Sequence, residues 1–334
     1  MSVSIHDVAK ATSLSCETIL EGLVTPSALE PEVVRHIMQA IRSTGYLDTF
    51  ARWKEAGPPR YVAIVSPWLD SAAGTETYKG IDRAISALGL NVIPFVVQTR
   101  GSPSVQEEVL KAILPNGDID AAIVHNMQPS AGMLERFAAA GKPVVLAESR
   151  VDYAQSVLLE NGKGMSIGIN YLVGQGYRRI ALMNGPSTGP EAGSVASERL
   201  IGYLTALQRR GIPFDETLVF ESRNYDIEAG FRAFEYFYGR GPLPDAIFCA
   251  TGDMSALGFI NAAHGEGVRI PKDIAVMGYD DLPVAGLVNP GITTIRQRHI
   301  IAGAGALVLV LEASVSGKGE NLVIIPELVA RETA

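Results

Sequence analysis

The sequence predicts an α/β protein: two lobes of parallel β-sheet layered with helices, preceded by a small N-terminal unit of three short helices. Two observations carry this. Seven short apolar runs rich in Val, Ile and Ala alternate with amphipathic helical stretches from residue 60 onward, the pattern of strands buried on both faces. That alternation occurs twice, over about residues 61–150 and 165–280, so it describes two similar lobes.

Taken in order, residues 1–47 read as the three short helices. Ser4 with Asp7 three positions on forms a capping-box pattern for the first. Ser15 caps the second, residues 15–23, after a tight turn. Pro31 opens the third, where Val33, Val34, Ile37 and Ile41 share a face, and Gly45 ends it. Two short helices joined by a tight turn are the usual frame of a DNA reader. Residues 48–59, ending in GPP, read as a hinge or linker. The strands then follow as YVAIVS, NVIPFVV, AAIVHN, PVVLAES, RIALMNG, AIFCATG and IAVMGYD. In parallel sheets ligands bind beyond the carboxyl ends of strands, which directs attention to residues 66–68, 125–126, 148–150, 184–185, 251–253 and 279–281. The apolar stretch from Ile301, IAGAGALVLVLEA, is too short for a membrane span and reads as a buried helix.

Composition narrows the function classes. With 334 residues, 47% hydrophobic and 19% charged, the chain has a sizeable core, and its net charge of −8 excludes a generally basic nucleic-acid coat. Cys16 and Cys249 make no disulfide framework and the N-terminus lacks a secretory pattern, so a cytoplasmic protein is expected. The five histidines have no metal-ligand spacing, and the glycine-rich loop at residues 184–193 fits neither the P-loop nor the dinucleotide fingerprint. No metal, cofactor or catalytic group is expected. An α/β enzyme using the pair Asp280 and Asp281 ranks last among the readings.

Several motifs, in chain order, resemble the lactose/galactose-repressor family of transcription regulators: DVAKATSLSCETI, ASERLIGYLTAL, ATGDMSALG, VMGYDDLPVAGLVNPGITTIRQ and PELVARETA. The resemblance implies a helix-turn-helix headpiece (residues 1–47), a hinge (48–59) and a two-lobed periplasmic-binding-protein-like effector domain (60–334). Lobe 1 would hold about 60–160 and 293–321, lobe 2 about 163–290 and 324–334, with crossings near 160–162, 290–293 and 321–324. It implies a homodimeric repressor or activator that binds a double-stranded operator, with no membrane partner. A small effector, bound between lobes, would change their angle and the spacing of two headpieces.

Carried over position by position, the effector-binding residues are Trp68, His125, Glu148, Arg199, Tyr225, Asp253 and Asp280. A guanidinium at Arg199 suits a vicinal diol or carboxylate, Asp280 accepts from hydroxyl or ring NH groups, and Tyr225 can stack on a sugar or base. Asp281 is read as structural, and Gly252 stands where the family has Asn. Carboxylates outnumber cations in this set, so a sugar or nucleoside-like effector is expected over a multiply phosphorylated one.

The DNA-contacting set is Ser4, Ser15, Cys16, Glu17, Thr18, Glu21, Arg52 and Trp53. It departs from the family, because Glu21 occupies a usual arginine position and Glu55 replaces the apolar hinge wedge, a role left to Trp53. Residues 1–57 hold five Lys or Arg against seven Asp or Glu, few cations for a phosphate-binding unit. Glu17 or Glu21 could accept from cytosine N4, binding could be weak and rely on a dimer, or DNA binding could have been lost. The first two are favoured because the helical core positions Ile5, Val8, Leu14, Ile19, Val33, Val34, Ile37 and Ile41 are intact. The alternative is a solute-binding receptor of the same fold whose headpiece no longer touches DNA.

Overall fold

Residues 62–65 and 121–124, apolar without a polar alternate, are fully buried and become neighbouring central strands. In the computed structural model, which describes residues 3–68, 70–187, 193–316 and 319–334, the chain divides into two units. The first comprises the described residues up to Leu158 together with His299–Ile324; the second comprises Leu159–Arg298 and Ile325–Ala334. The middle crossing thus falls at residues 298–299, beyond the expected 290–293, because strand Thr293–Arg296 still pairs in the second sheet.

The first unit's sheet has the order β11-β5-β4-β3-β1-β2. Its strands are β1 (Arg60–Ser66), β2 (Val92–Gln98), β3 (Ile119–His125), β4 (Val144–Ala147), β5 (Gln155–Leu159) and β11 (Leu322–Ile324). Pairing is parallel from β2 through β5, with Ile64 opposite Ile123 and Val124 opposite Leu146. Helices α4 (Ala72–Leu88) and α12 (His299–Ser316) cross in close contact. The crossing is possible because Gly80 faces the backbone oxygen of Ile300 and Gly303 that of Thr77, where a Cβ would come within 2.0 Å and 1.9 Å respectively. Helices α5 (Pro103–Ile113) and α6 (Ala131–Ala139) also belong to this unit. Leu110, Ile113, Met133 and Phe137 from these two helices pack with Ala63, Val65 and Val124 of the sheet.

The second unit repeats the plan with order β12-β10-β9-β8-β6-β7. Its strands are β6 (Ile180–Asn184), β7 (Val219–Glu221), β8 (Ala246–Cys249), β9 (Ala275–Asp280), β10 (Thr293–Arg296) and β12 (Glu327–Val329). All observed pairs are parallel except β10 with β12. Its helices are α7 (Asn161–Gly174), α8 (Ser194–Arg209), α9 (Ile227–Tyr238), α10 (Asp253–Gly265) and α11 (Pro283–Leu287). The core divides into a cluster around Phe234, Phe259 and Ile247 and another around Met165, Phe248 and Tyr279. Of the glycine-rich loop named above, residues 188–192 lie outside the described residues.

The N-terminal helices α1 (Ile5–Thr12), α2 (Cys16–Val24) and α3 (Pro31–Ser43) form as expected, with the Ser4–Asp7 capping box and the Ser15 cap both present. Ile5, Val8, Ile19, Ile37 and Ile41 are fully buried, while Leu14, Val33 and Val34 are only partly so. Two expectations are corrected. The linker reading over residues 48–53 fails, because Tyr46–Trp53 is a 3-10 helix that buries Tyr46, Thr49, Phe50 and Trp53. The three-helix unit is also not separate from the lobe behind it. It packs on the first sheet's helices, with α2 in contact with both α4 and α12.

Candidate functional site

In the second unit the chemistry gathers where parallel strands end. Arg199, on α8, is only 6% exposed, and its guanidinium lies 4.2 Å from the Tyr279 ring centroid. Nε donates to Asn161 Oδ1 at 3.0 Å, one terminal nitrogen donates to the Ala250 carbonyl, and the other reaches Gln297 Oε1 at 3.3 Å. Asp280, the last residue of β9, lies 3.9 Å from the same guanidinium. Tyr225 completes the group: its hydroxyl sits over Gly185, where a Cβ would be 2.0 Å away, and the residue as a whole remains 43% exposed. Burial pushes the phenol's pKa up; the Arg199 charge opposes that and the Asp280 charge adds to it. Arg199, Tyr225 and Asp280 therefore converge at one end of one sheet. Beside them, Asn184 Oδ1 and Thr251 Oγ1 are buried with no hydrogen-bond partner among the described residues, an unmet demand that a polar ligand can satisfy.

Backbone geometry explains two sequence features. Asp280 and Asp281 have φ of 99° and 56°, a conformation held against its intrinsic penalty by the surrounding bonds. Asp281 is clamped by Arg296 and Arg331, each at 2.7 Å, so it is structural as expected. Gly252 has φ 110°, and a Cβ there would lie 2.9 Å from Asp280 Oδ2. The glycine, which stands where the resembled family has Asn, thus makes room for Asp280.

Asp253 is a correction. Its carboxylate is fully buried and consumed internally, accepting from Leu282 N and Thr294 Oγ1, both at 2.6 Å. Burial and then the nearby Asp280 charge hold its pKa well above the usual carboxylate range. It fixes the turn that carries Asp280, with both carboxyl oxygens engaged inside the unit.

The first unit has its own cluster at the carboxyl ends of β1, β3 and β4. Glu148 Oε1 accepts from Thr77 Oγ1 at 2.9 Å and bonds His299 Nδ1 at 3.0 Å, and lies 3.5 Å from His125 Nε2. Burial alone would raise the Glu148 pKa, but the facing imidazoles of His299 and His125 outweigh it and hold it well below the carboxylate range. His125 Nδ1 is 3.1 Å from Ser66 Oγ, which Tyr78 OH also reaches at 2.6 Å. Trp68 is 46% exposed, and its carbonyl accepts from Ser66 and Tyr78 of the cluster. Glu148 and His125 are thus brought together, and Trp68 lies apart from them on the surface.

Sequence reasoning missed Asn161, Gln297, His299 and Thr77. Asn161 and Gln297 lie within two residues of chain crossings and His299 begins a segment after one, in the polar stretches 160–163 and 296–299 where no apolar period runs. Among the described residues no group of three His, Cys, Asp or Glu could hold a metal ion, and no helix is long and apolar enough to cross a membrane.

The residues expected to touch DNA are mostly engaged elsewhere. Ser4 and Ser15 cap helices, and Ser15 Oγ bonds Thr18 Oγ1 at 2.9 Å. Arg52 pairs with Asp120 at 3.1 Å. Trp53 is 1% exposed and donates from Nε1 to Ser314 Oγ on α12, which corrects its reading as a wedge. Cys16, Glu17 and Glu21 on α2 are half-buried.

Comparison with known proteins agrees with this architecture. Residues 169–334 match the periplasmic binding protein-like domain family. The chain is 25% identical to the HTH-type transcriptional repressor CytR of Escherichia coli K12 over 93% of its own length and 89% of the relative's. Two solved structures share the fold along the whole chain. A CelR–cellobiose complex superposes with a TM-score of 0.71 at 23% identity, covering 99% of this chain and 100% of that one. The lac repressor dimer bound to operator and the anti-inducer ONPF also gives 0.71, at 22% identity, covering 100% and 99%.

Proposed function

We propose, from the premise that this chain is a homologue of the lactose/galactose-repressor family of transcription regulators, that it is a ligand-responsive, DNA-binding regulator of transcription, a repressor. It acts in the cytoplasm as a homodimer, takes a sugar or nucleoside-like effector, and catalyses no reaction. The observation that carries the effector half is the convergence of Arg199, Tyr225 and Asp280 at the strand ends of the second unit. The Arg199 charge is already balanced by Asp280 at 3.9 Å, so the site favours a neutral guest over an anion. The Arg199 N–H groups not spent on Asn161, Ala250 and Gln297 donate to hydroxyls, Asp280 accepts from them, and the part-exposed Tyr225 packs on the ring. Self-association has support in edge strand β2, which leaves Ile93 and Phe95 42% and 49% exposed.

Calorimetric titration of a metabolite panel tests the effector reading. Neutral sugars or nucleosides are expected to bind, and Asp280→Asn is expected to weaken them at least tenfold. Binding only of phosphorylated or dicarboxylate compounds would overturn it. A second reading, a solute-binding receptor whose helices no longer meet DNA, draws on one observation: α2 lies against the protein's own helices.

A further inference from the structure

A helix-turn-helix unit presents its second helix to the major groove and keeps the first and third behind it. Here the order is reversed with respect to the rest of the chain. Of the three helices it is α2 that makes the main packing contact with α4 and α12, α1 adding the bond from Ile5 N to Glu312. On α2, Ile19 and Gly22 face inward, with Gly22 so close to Ile37 that a Cβ would meet its Cδ1 at 2.6 Å. Leu20, a third of a turn away, is fully buried as well, and the surface it meets is α12: its Cδ1 is 3.3 Å from where a Cβ on Gly305 would stand. The α12 helix is apolar almost all round, with residues 302–311 all buried and Gly303 and Gly305 admitting close neighbours. One flank meets α4 and the strands, and α2 covers what would otherwise be exposed.

Polar anchors lie at both ends of this contact. Glu312, on the last turns of α12 and 6% exposed, accepts from the backbone N of Ile5 and from Tyr46 OH, both at 2.8 Å. Trp53 Nε1 donates to Ser314 Oγ at 3.2 Å, and Arg83 on α4 donates to Thr25 Oγ1, just past α2, at 3.3 Å. The backbone N of Asn91 donates to the Trp53 carbonyl at 2.7 Å, tying down the segment expected to be a free hinge. A tether with Tyr46, Phe50 and Trp53 fully buried is anchored packing and not a swivel.

We infer that this structure is a DNA-silent state in which the first lobe sequesters the reading helix, and that α2 has to leave α4 and α12 before it can enter a major groove. Leu20 and the base-facing start of α2 cannot serve α12 and a duplex together. Undocking exposes the α12 face, Leu20 and Trp53 to water, so it requires a ligand or duplex that binds the undocked form more tightly. The inference rests on the DNA-binding reading above.

The test uses the full chain and two variants that loosen the dock from outside α2. Glu312→Ala removes the acceptor for Ile5 N and Tyr46 OH; Tyr46→Phe removes one hydroxyl and serves if the first variant does not fold by circular dichroism. Undocking is read by thiol labelling of Cys16, with the fully buried Cys249 as the internal control for global unfolding. DNA binding is read against a random-sequence duplex pool carried through selection, at two salt concentrations. We expect at least tenfold faster Cys16 labelling and at least tenfold tighter duplex binding by the loosened variant. If the parent already binds selected duplexes as tightly as the variant, the DNA-binding reading stands and sequestration is overturned. If Cys16 labelling rises and no selected duplex emerges for either protein, the DNA-binding reading fails and takes this inference with it. Unchanged labelling in both folded variants overturns the anchoring role given to Glu312.

Discussion

At the scale of single residues, the effector site is a matter of which polar groups are spent and which remain. Arg199 is held by three acceptors in its own unit, so it is a structural clasp as well as the ligand group proposed above. Arg199→Lys keeps the charge but loses the planar fork. It is expected to lower effector affinity at least tenfold and to destabilise the chain by about 2 kcal/mol, since buried acceptors lose their donors; calorimetry and thermal melts read the two separately. Asp253 makes the opposite case. Asp253→Asn is expected to leave effector affinity within about threefold, because its oxygens serve Leu282 and Thr294 and not the guest. A raised acid pKa means that the folded chain holds a proton the unfolded chain releases, so stability declines as pH rises from the unfolded value toward the folded one. The Asn variant should flatten that decline. A loss of effector binding equal to that of Asp280→Asn would contradict this assignment. Motif position alone placed Arg199, Tyr225 and Asp280 in one set, but it could not separate Asp253 from Asp280. Asp253 faces the Leu282 backbone N–H and the Thr294 hydroxyl whereas Asp280 faces Arg199, and a one-dimensional pattern does not record that.

The elements were legible in proportion to how strongly their burial is periodic. The seven apolar runs correspond to β1–β4, β6, β8 and β9, and the stretch from Ile301 is buried in α12 as expected. The short strands β5 and β7 were not foreseen: β7 spans only three residues at a sheet edge, and β5 runs into a chain crossing. The docking of α2 was the least legible feature, although two signs of it stand in the sequence. A helix apolar on all sides has to be covered on all sides, and a recognition helix with Leu20 and two glutamates is poorly fitted to phosphate. Glu312 makes the docked contact responsive to pH. Burial raises its carboxyl, the bonds from Tyr46 and Ile5 N draw it back, and the Asp7 charge pushes it up again, to about 7. The groups around it are His6, Asp7 and Lys10 from α1, Cys16 from α2, Tyr46 from the 3-10 helix, and Gln155 and Glu320. An acid with a raised pKa in the docked form binds a proton that the undocked form, near 4.5, has released. Docking is therefore strongest in acid and weakens as pH rises toward 7. Amide hydrogen exchange of α1–α3, corrected for intrinsic rates, should show less protection at about pH 8 than at about pH 6. Glu312→Gln should remove the difference; equal protection in the parent would contradict it.

At the scale of the whole molecule, one chain carries two repeated sheets, each with polar residues at its strand ends, and an N-terminal unit folded against the first. The two strand-end clusters differ in kind. Among the described residues both keep buried polar atoms without a hydrogen-bond partner, Asn184 Oδ1 and Thr251 Oγ1 in the second and His125 Nε2 and Ser149 Oγ in the first; the second adds the part-exposed Tyr225 beside Arg199 and Asp280, whereas Glu148 in the first is engaged by Thr77 and His299. The effector account therefore rests on the second. Coupling that site to DNA is the central claim, and linkage makes it measurable: a ligand whose affinity differs between the duplex-free and the duplex-bound chain must shift duplex affinity by that same factor. The direct measurement is duplex-binding anisotropy on a selected operator, titrated with and without the metabolite that calorimetry identifies. The account predicts that the metabolite moves the binding midpoint at least fivefold in the parent and leaves Arg199→Ala unmoved; a midpoint indifferent to saturating metabolite in the parent would contradict it.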